Sequence, residues 1–157
     1  MIFGTVGTHD QSFNRLLAGL DELADDYDEI VAQVGHSTYR PEHIQWFDFV
    51  SESKINEYYQ NASVVVGHAG AGTILTALSY RKPLVLMPRR KQYDEHLDNH
   101  QLELTEALRD RDDVFVVANV DDLKGAIDKA LAHTPTTSES AGELATYLSA
   151  NIDQMVD

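Results

Sequence analysis

Ser63-Val64-Val65-Val66-Gly67-His68-Ala69-Gly70-Ala71-Gly72-Thr73-Ile74-Leu75-Thr76-Ala77-Leu78 decides how this chain is read. A β-branched apolar run passes through a glycine-rich turn into an amphipathic pattern, the order of a buried strand, a tight loop and a helix. Glycine lets the backbone curl and lets a ligand come close. The first amides of a helix lack internal partners, and the helix dipole adds partial positive charge at that end. Such a loop suits a phosphate or diphosphate. The same turn also serves as a plain connection in many α/β domains. The stretch is neither a P-loop, since no Gly-Lys-Ser/Thr follows, nor a GxGxxG fingerprint.

Working outward, residues 1–6 read as a first strand and 7–12 as a polar loop, with Ser12 placed to cap a helix over 12–24. Phe13, Leu16, Leu17, Leu20 and Leu23 recur along it at helical spacing. Strands are expected over 29–34 and about 43–50. Ser53 is placed to cap a helix ending at Asn61, with Ile55, Tyr58 and Tyr59 inward. The helix after the glycine loop runs to about Arg81, and 83–88 is a short apolar strand of the kind buried on both faces. A helix over roughly 96–109, a strand over 114–118 and helices over 121–133 and 139–156 complete the chain. This alternation predicts an α/β fold, a doubly wound Rossmann-like parallel sheet in one domain spanning 1–157. Ligands bind such sheets at the carboxyl edge, where loops 7–12, 35–38 and 67–73 meet.

Composition narrows the function. The chain has 157 residues, enough to bury about two-thirds of the unfolded surface in one core. It has no cysteine, which fits a reducing compartment. No signal-peptide pattern or apolar run near the length of a membrane span occurs, so the chain is expected to be soluble by itself. A net charge of −14 argues against nucleic acid as the main partner. Five lysines against 26 acidic residues also suit a salt-loving host. The scarce cations Arg89, Arg90 and Lys91 stand together, either as a solvated surface triplet or as a basic loop.

Three separated motifs carry a resemblance. His68-Ala69-Gly70-Ala71-Gly72-Thr73, then Lys82-Pro83-Leu84-Val85, then Asp98-Asn99-His100-Gln101 with Glu103-Leu104 resemble the family 28 glycosyltransferases. More narrowly they resemble the short Alg13- and PssE-like subgroup, whose amino-terminal signature is similar to Thr5-Val6-Gly7-Thr8 with Phe13 and Leu16. The resemblance covers most of residues 1–110. It implies the donor-binding half of a GT-B enzyme, a single half-domain that takes a UDP-sugar and transfers the sugar with inversion. It implies a separate membrane-anchored, acceptor-binding subunit resembling Alg14 or PssD, and a cytoplasmic chain held at the membrane through that partner. His68, Ala69 and the amides of Gly70, Ala71, Gly72 and Thr73 would hold the diphosphate. Asn99 or Asp98 and Gln101 would meet sugar hydroxyls. Thr8 and His9 would line the cleft floor, and backbone near 50–52 would meet the base. Relatives often place a ribose-gripping Glu where this chain has Thr76, a weaker partner for the ribose. No cofactor is implied, and the general base is expected on the partner, with His9 and His68 as weaker candidates.

Other readings stay open. His96 and His100 stand four apart beside acidic residues, but the pattern is not His-Glu-x-x-His and no third ligand is fixed, so no metal is called for. His36 and His43 read as surface or loop residues. A regulatory or scaffolding module that kept the fold without the donor is one alternative class, and a sugar-nucleotide epimerase another. Leu144, Leu148, Ile152 and Met155 line one face of the helix expected over 139–156, which could pack on its own sheet, meet the partner, or mediate self-association when the chain is alone.

Overall fold

The computed structural model describes residues 1–96 and 98–133. Six strands form one parallel sheet: β1 Ile2–Thr5, β2 Ile30–Gln33, β3 Gln45–Phe47, β4 Val64–His68, β5 Leu84–Met87 and β6 Val114–Val116. Their spatial order is β3-β2-β1-β4-β5-β6. The chain winds outward from β1 through β3, then returns to pair β4 on the other side of β1, with Ile2 opposite both Ile30 and Val64. The gap between the carboxyl ends of β1 and β4 is therefore the topological switch point.

Among the described residues five α-helices cover the sheet: α1 Asn14–Glu22, α2 Glu52–Asn61, α3 Ala71–Ser79, α4 His100–Leu108 and α5 Leu123–Ala132. Strand side chains alternate between the two faces. Val64, Val66, Val85 and Met87 meet Leu16, Leu17 and Leu20 of α1 and Leu123 and Ile127 of α5. Val65, Leu84 and Leu86 meet Tyr59 of α2, Ile74 and Ala77 of α3, and Leu104 and Leu108 of α4. Burial on both faces explains why β4 and β5 read as unbroken apolar runs. β3 is one of the two edge strands and is largely exposed.

The order of strands and helices follows the sequence reading, and Phe13, Leu16, Leu17 and Leu20 are buried as expected. Local details differ. Ser12 does not cap α1: its hydroxyl accepts from the Thr38 amide, Phe13 is the N-cap, and the Phe13 amide donates to Ser37 Oγ at 2.8 Å. The cap of α2 is Ser51, whose side chain accepts from the Lys54 amide, and not Ser53. β3 is only three residues long, and α4 starts at His100, whose amide donates to Asp98 Oδ1 at 2.9 Å, with a 3-10 turn, Lys91–Tyr93, earlier in the loop. The helix expected over 139–156 lies outside the described residues. Among the described residues no helix is long and apolar enough to cross a membrane.

Candidate functional site

A cavity of about 290 Å³ opens at the switch point. Thr5, Gly7 and Thr8 line it from the end of β1, Phe49, Val50 and Glu52 from the segment into α2, and Gly72, Thr73 and Thr76 from the start of α3. Four of the sequence-predicted site residues, Thr8, Gly72, Thr73 and Thr76, thus share one hollow, together with Val50 and Glu52. Gln33, Asn56 and Tyr59 also line it and carried no signal in the sequence. α3 aims its amino terminus at this space, with Gly70 as N-cap and, among the described residues, no side chain capping the first amides. Thr76 Oγ1 donates to the Gly72 carbonyl at 2.8 Å, which spends its only proton inside the helix.

Gly7 makes the wall possible. Its φ is +73°, a left-handed conformation that costs other residues energy, and a Cβ there would run into the His68 ring. Gly35, at φ +53°, lies against the Gly7 carbonyl in the same way.

Behind the cavity wall lies a buried polar network. His68 is wholly buried, with Nε2 at 3.1 Å from Thr73 Oγ1 and Nδ1 at 3.1 Å from Gln101 Nε2. Gln101 is 2% exposed, and its Oε1 accepts from the amides of Ala69 (3.1 Å) and Arg89 (2.9 Å). The structure therefore places Gln101 behind the glycine loop, its amide engaged by protein, and not at a surface where it would touch a sugar. Asn99 stands apart from the cavity, exposed, with Oδ1 accepting from the Lys91 amide at 3.1 Å.

Arg89 is the residue whose role sequence alone leaves hidden. It is not a solvated surface cation: it is fully buried, and its guanidinium donates to the carbonyls of Val6, Gln11 (2.8 Å) and Glu95 (2.9 Å). It also reaches His68 Nδ1 at 3.4 Å and lies over the Phe13 ring. One side chain thus ties the loop after β1 to the loop after β5. The only signal in sequence is a scarce cation immediately after a buried strand.

His9 sits in the loop after β1, its ring 4.5 Å from that of His96 and its Nδ1 accepting from the Gln11 amide at 3.0 Å. Burial, followed by the charges of Arg89 and His96, lowers its pKa below the ordinary 6.5. With Nδ1 accepting, the neutral ring carries its proton on Nε2 and presents a donor, not a base. Near it, Gln11 Oε1, Arg90 Nε and His96 Nε2 are buried polar atoms without a protein partner among the described residues. His96 precedes α4, so it does not share a helix face with His100; both flank Asp98, at 3.2 and 3.5 Å. Among the described residues no group of three or more ligand-type side chains is arranged to hold a metal.

Burial pushes His68 well below 6.5, and the neighbouring charges of Arg89, His9 and His96 push it further. The unfolded chain takes up a proton there near pH 6.5 and the folded chain does not. Stability is therefore full above that pH and falls on acidification. We expect the unfolding free energy to drop by about 1.4 kcal/mol per pH unit for each such histidine below pH 6.5. Urea unfolding at a series of pH values checks this, and His68→Asn should remove one proton's worth of slope.

The family model described as the glycosyltransferase family 28 C-terminal domain matches residues 1–154. The human UDP-N-acetylglucosamine transferase subunit ALG13 is 32% identical over 126 residues, which cover 73% of this chain. The match spans only 11% of the human protein and 10% of its mouse counterpart. Among solved structures, the glycotransferase of kitacinnamycin matches with a TM-score of 0.67 at 22% identity, covering 95% of this chain and 39% of that one. The NMR solution structure of ALG13 matches with a TM-score of 0.64 at 16% identity, covering 94% of each chain. At those identities the structural likenesses show the fold, a Rossmann-like α/β domain like one half of a GT-B glycosyltransferase. With the match running over nearly its whole length, the chain belongs to the glycosyltransferase family 28 C-terminal domain family.

Proposed function

We propose that this chain is the donor-binding part of an inverting glycosyltransferase. It holds a UDP-sugar in the switch-point cavity, while a second, membrane-anchored subunit resembling Alg14 or PssD presents a lipid-linked acceptor. The observation that carries this reading is the cavity itself, which the uncapped amino terminus of α3 faces through Gly72 and Thr73. In the transfer, the acceptor oxygen bonds to the anomeric carbon as the bond from that carbon to the diphosphate breaks. Negative charge grows on the departing diphosphate, and preorganised amides with a positive helix end stabilise it more in the transition state than in the ground state.

The other lining residues suit the rest of a nucleotide. Phe49 and Val50 offer an apolar face to a base, and Glu52, the one carboxylate among the lining residues, can accept from ribose hydroxyls, a task Thr76 fills poorly. No free base emerges from His9 or His68, so deprotonation of the acceptor falls to the acceptor-binding subunit. The chain then works in the cytoplasm, at the membrane surface through that partner.

The relatives' names make UDP-N-acetylglucosamine the first donor to test. Calorimetric titration with UDP and with UDP-linked N-acetylglucosamine, glucose, galactose and glucuronate should give saturable binding with one preferred sugar. Transfer should be negligible until an acceptor-binding subunit is added. Absence of binding by UDP and every donor contradicts the reading and returns the chain to the scaffolding alternative.

A further inference from the structure

The hydrogen bonds behind the cavity wall have a direction that can be read atom by atom. Backbone amides only donate, so the Gln101 atom that receives the Ala69 and Arg89 amides is its oxygen. Its Nε2 then faces His68 Nδ1 and donates to it at 3.1 Å, joined by Arg89 Nε at 3.4 Å. A ring nitrogen that accepts carries no proton. The neutral imidazole therefore keeps its proton on Nε2 and donates it to Thr73 Oγ1 at 3.1 Å. Burial and the facing groups Arg89, His9 and His96 all disfavour a charged ring.

The consequence reaches the cavity. Thr73 Oγ1 is already accepting, so its own proton must go elsewhere. Thr76 turns its proton back to a helix carbonyl, whereas Thr73 has no second partner for its hydroxyl among the described residues, and Thr73 lines the cavity.

We propose that Gln101 is a positioning residue for donor binding: acting through His68, it fixes the Thr73 hydroxyl as a donor into the cavity, toward a diphosphate oxygen. This rests on the donor reading above. It also assigns Gln101 a role different from the sugar contact expected from the family resemblance. The sugar-facing surface is left to other groups, and the glycine loop, the ring and the helix start act as one unit.

The test uses the full 157-residue chain, nitrogen-15 labelled, with imidazole nitrogens read by NMR and UDP affinity by calorimetry. The expected spectrum of the unaltered chain has His68 neutral with its proton on Nε2. In Gln101→Glu a carboxylate oxygen replaces the donor, so the proton should move to Nδ1, and Thr73 should turn its hydroxyl toward Nε2. UDP binding should weaken by about tenfold, the lower end of what a hydrogen bond to a charged group contributes. Thr73→Val should weaken it similarly, Thr73→Ser should restore it, and the Gln101→Glu/Thr73→Val double variant should be no weaker than either alone.

A proton on Nδ1 in the unaltered chain overturns the proposal, as does UDP affinity unchanged in Thr73→Val or additive losses in the double variant. Should Gln101→Glu fail to fold, the ring spectrum of the unaltered chain and the Thr73 pair still decide. No UDP binding by the unaltered chain overturns the donor reading and this role with it. UDP binding with a proton on Nδ1 overturns this role alone.

Discussion

Replacing Arg89 with alanine is expected to lower the midpoint of thermal unfolding by about 10 °C. The guanidinium is fully buried and serves carbonyls from Val6, Gln11 and Glu95, so its loss leaves buried acceptors without donors as well as a void. Each such group costs about 1–3 kcal/mol, and in a chain of this size each kcal/mol moves the midpoint by about 2–4 °C. Lysine should recover only a small part, because three donors on one flexible ammonium cannot reproduce a planar fork that reaches three carbonyls and a ring nitrogen at once. Methionine should restore volume without restoring the donors, and should fall between alanine and the unaltered chain. Scanning calorimetry of the three variants at one pH provides the ranking. A midpoint within 2 °C or so of the unaltered chain in Arg89→Ala would show that the latch between the loops after β1 and β5 adds little.

Gly7→Ala should be nearly as severe, for a different reason. A methyl group at φ +73° pays the left-handed penalty of about 1–2 kcal/mol. It also runs into the His68 ring, which is held on both nitrogens by Thr73 and Gln101 and has no rotamer to retreat to without breaking them. Overpacking of this kind adds about 1–3 kcal/mol, so denaturant unfolding should show a total loss of about 2–5 kcal/mol. The two contributions separate in a double variant. Gly7→Ala/His68→Ala removes the collision and keeps the backbone penalty, so the glycine substitution should cost less in the His68→Ala background than in the unaltered chain. Equal costs in the two backgrounds would mean that the ring is not what Gly7 accommodates.

Much of this fold was legible because its signals are local. The apolar runs of β4 and β5, the helical spacing of Phe13, Leu16, Leu17 and Leu20, and the glycine turn between β4 and α3 each lie within a few consecutive residues. Parallel strands buried on both faces leave no ambiguity about which positions are core. The caps were less legible. Ser12 and Ser53 have the residue type of a cap but cap neither helix: Ser37, distant in sequence, receives the Phe13 amide, and Ser51 caps α2.

Least legible was the polar network behind the site. Arg89 bonds to Val6 and Gln11 across the end of β4, and Gln101 bonds to Ala69 and His68 from another element, α4; no spacing rule connects such residues. Those contacts exist only once β1, β4 and β5 lie side by side. The motif that carries the family resemblance includes Gln101, but the motif alone does not say which way its amide faces. Two backbone donors do.

The most direct test of the account is a titration of the labelled chain with UDP, following backbone amides by two-dimensional NMR. The account predicts saturable shifts concentrated at Thr8, Val50, Glu52, Gly72, Thr73 and Thr76, residues that share the cavity. Shifts confined to the separate hollow beside Arg15 and Tyr93, or no saturable response at all, would contradict it.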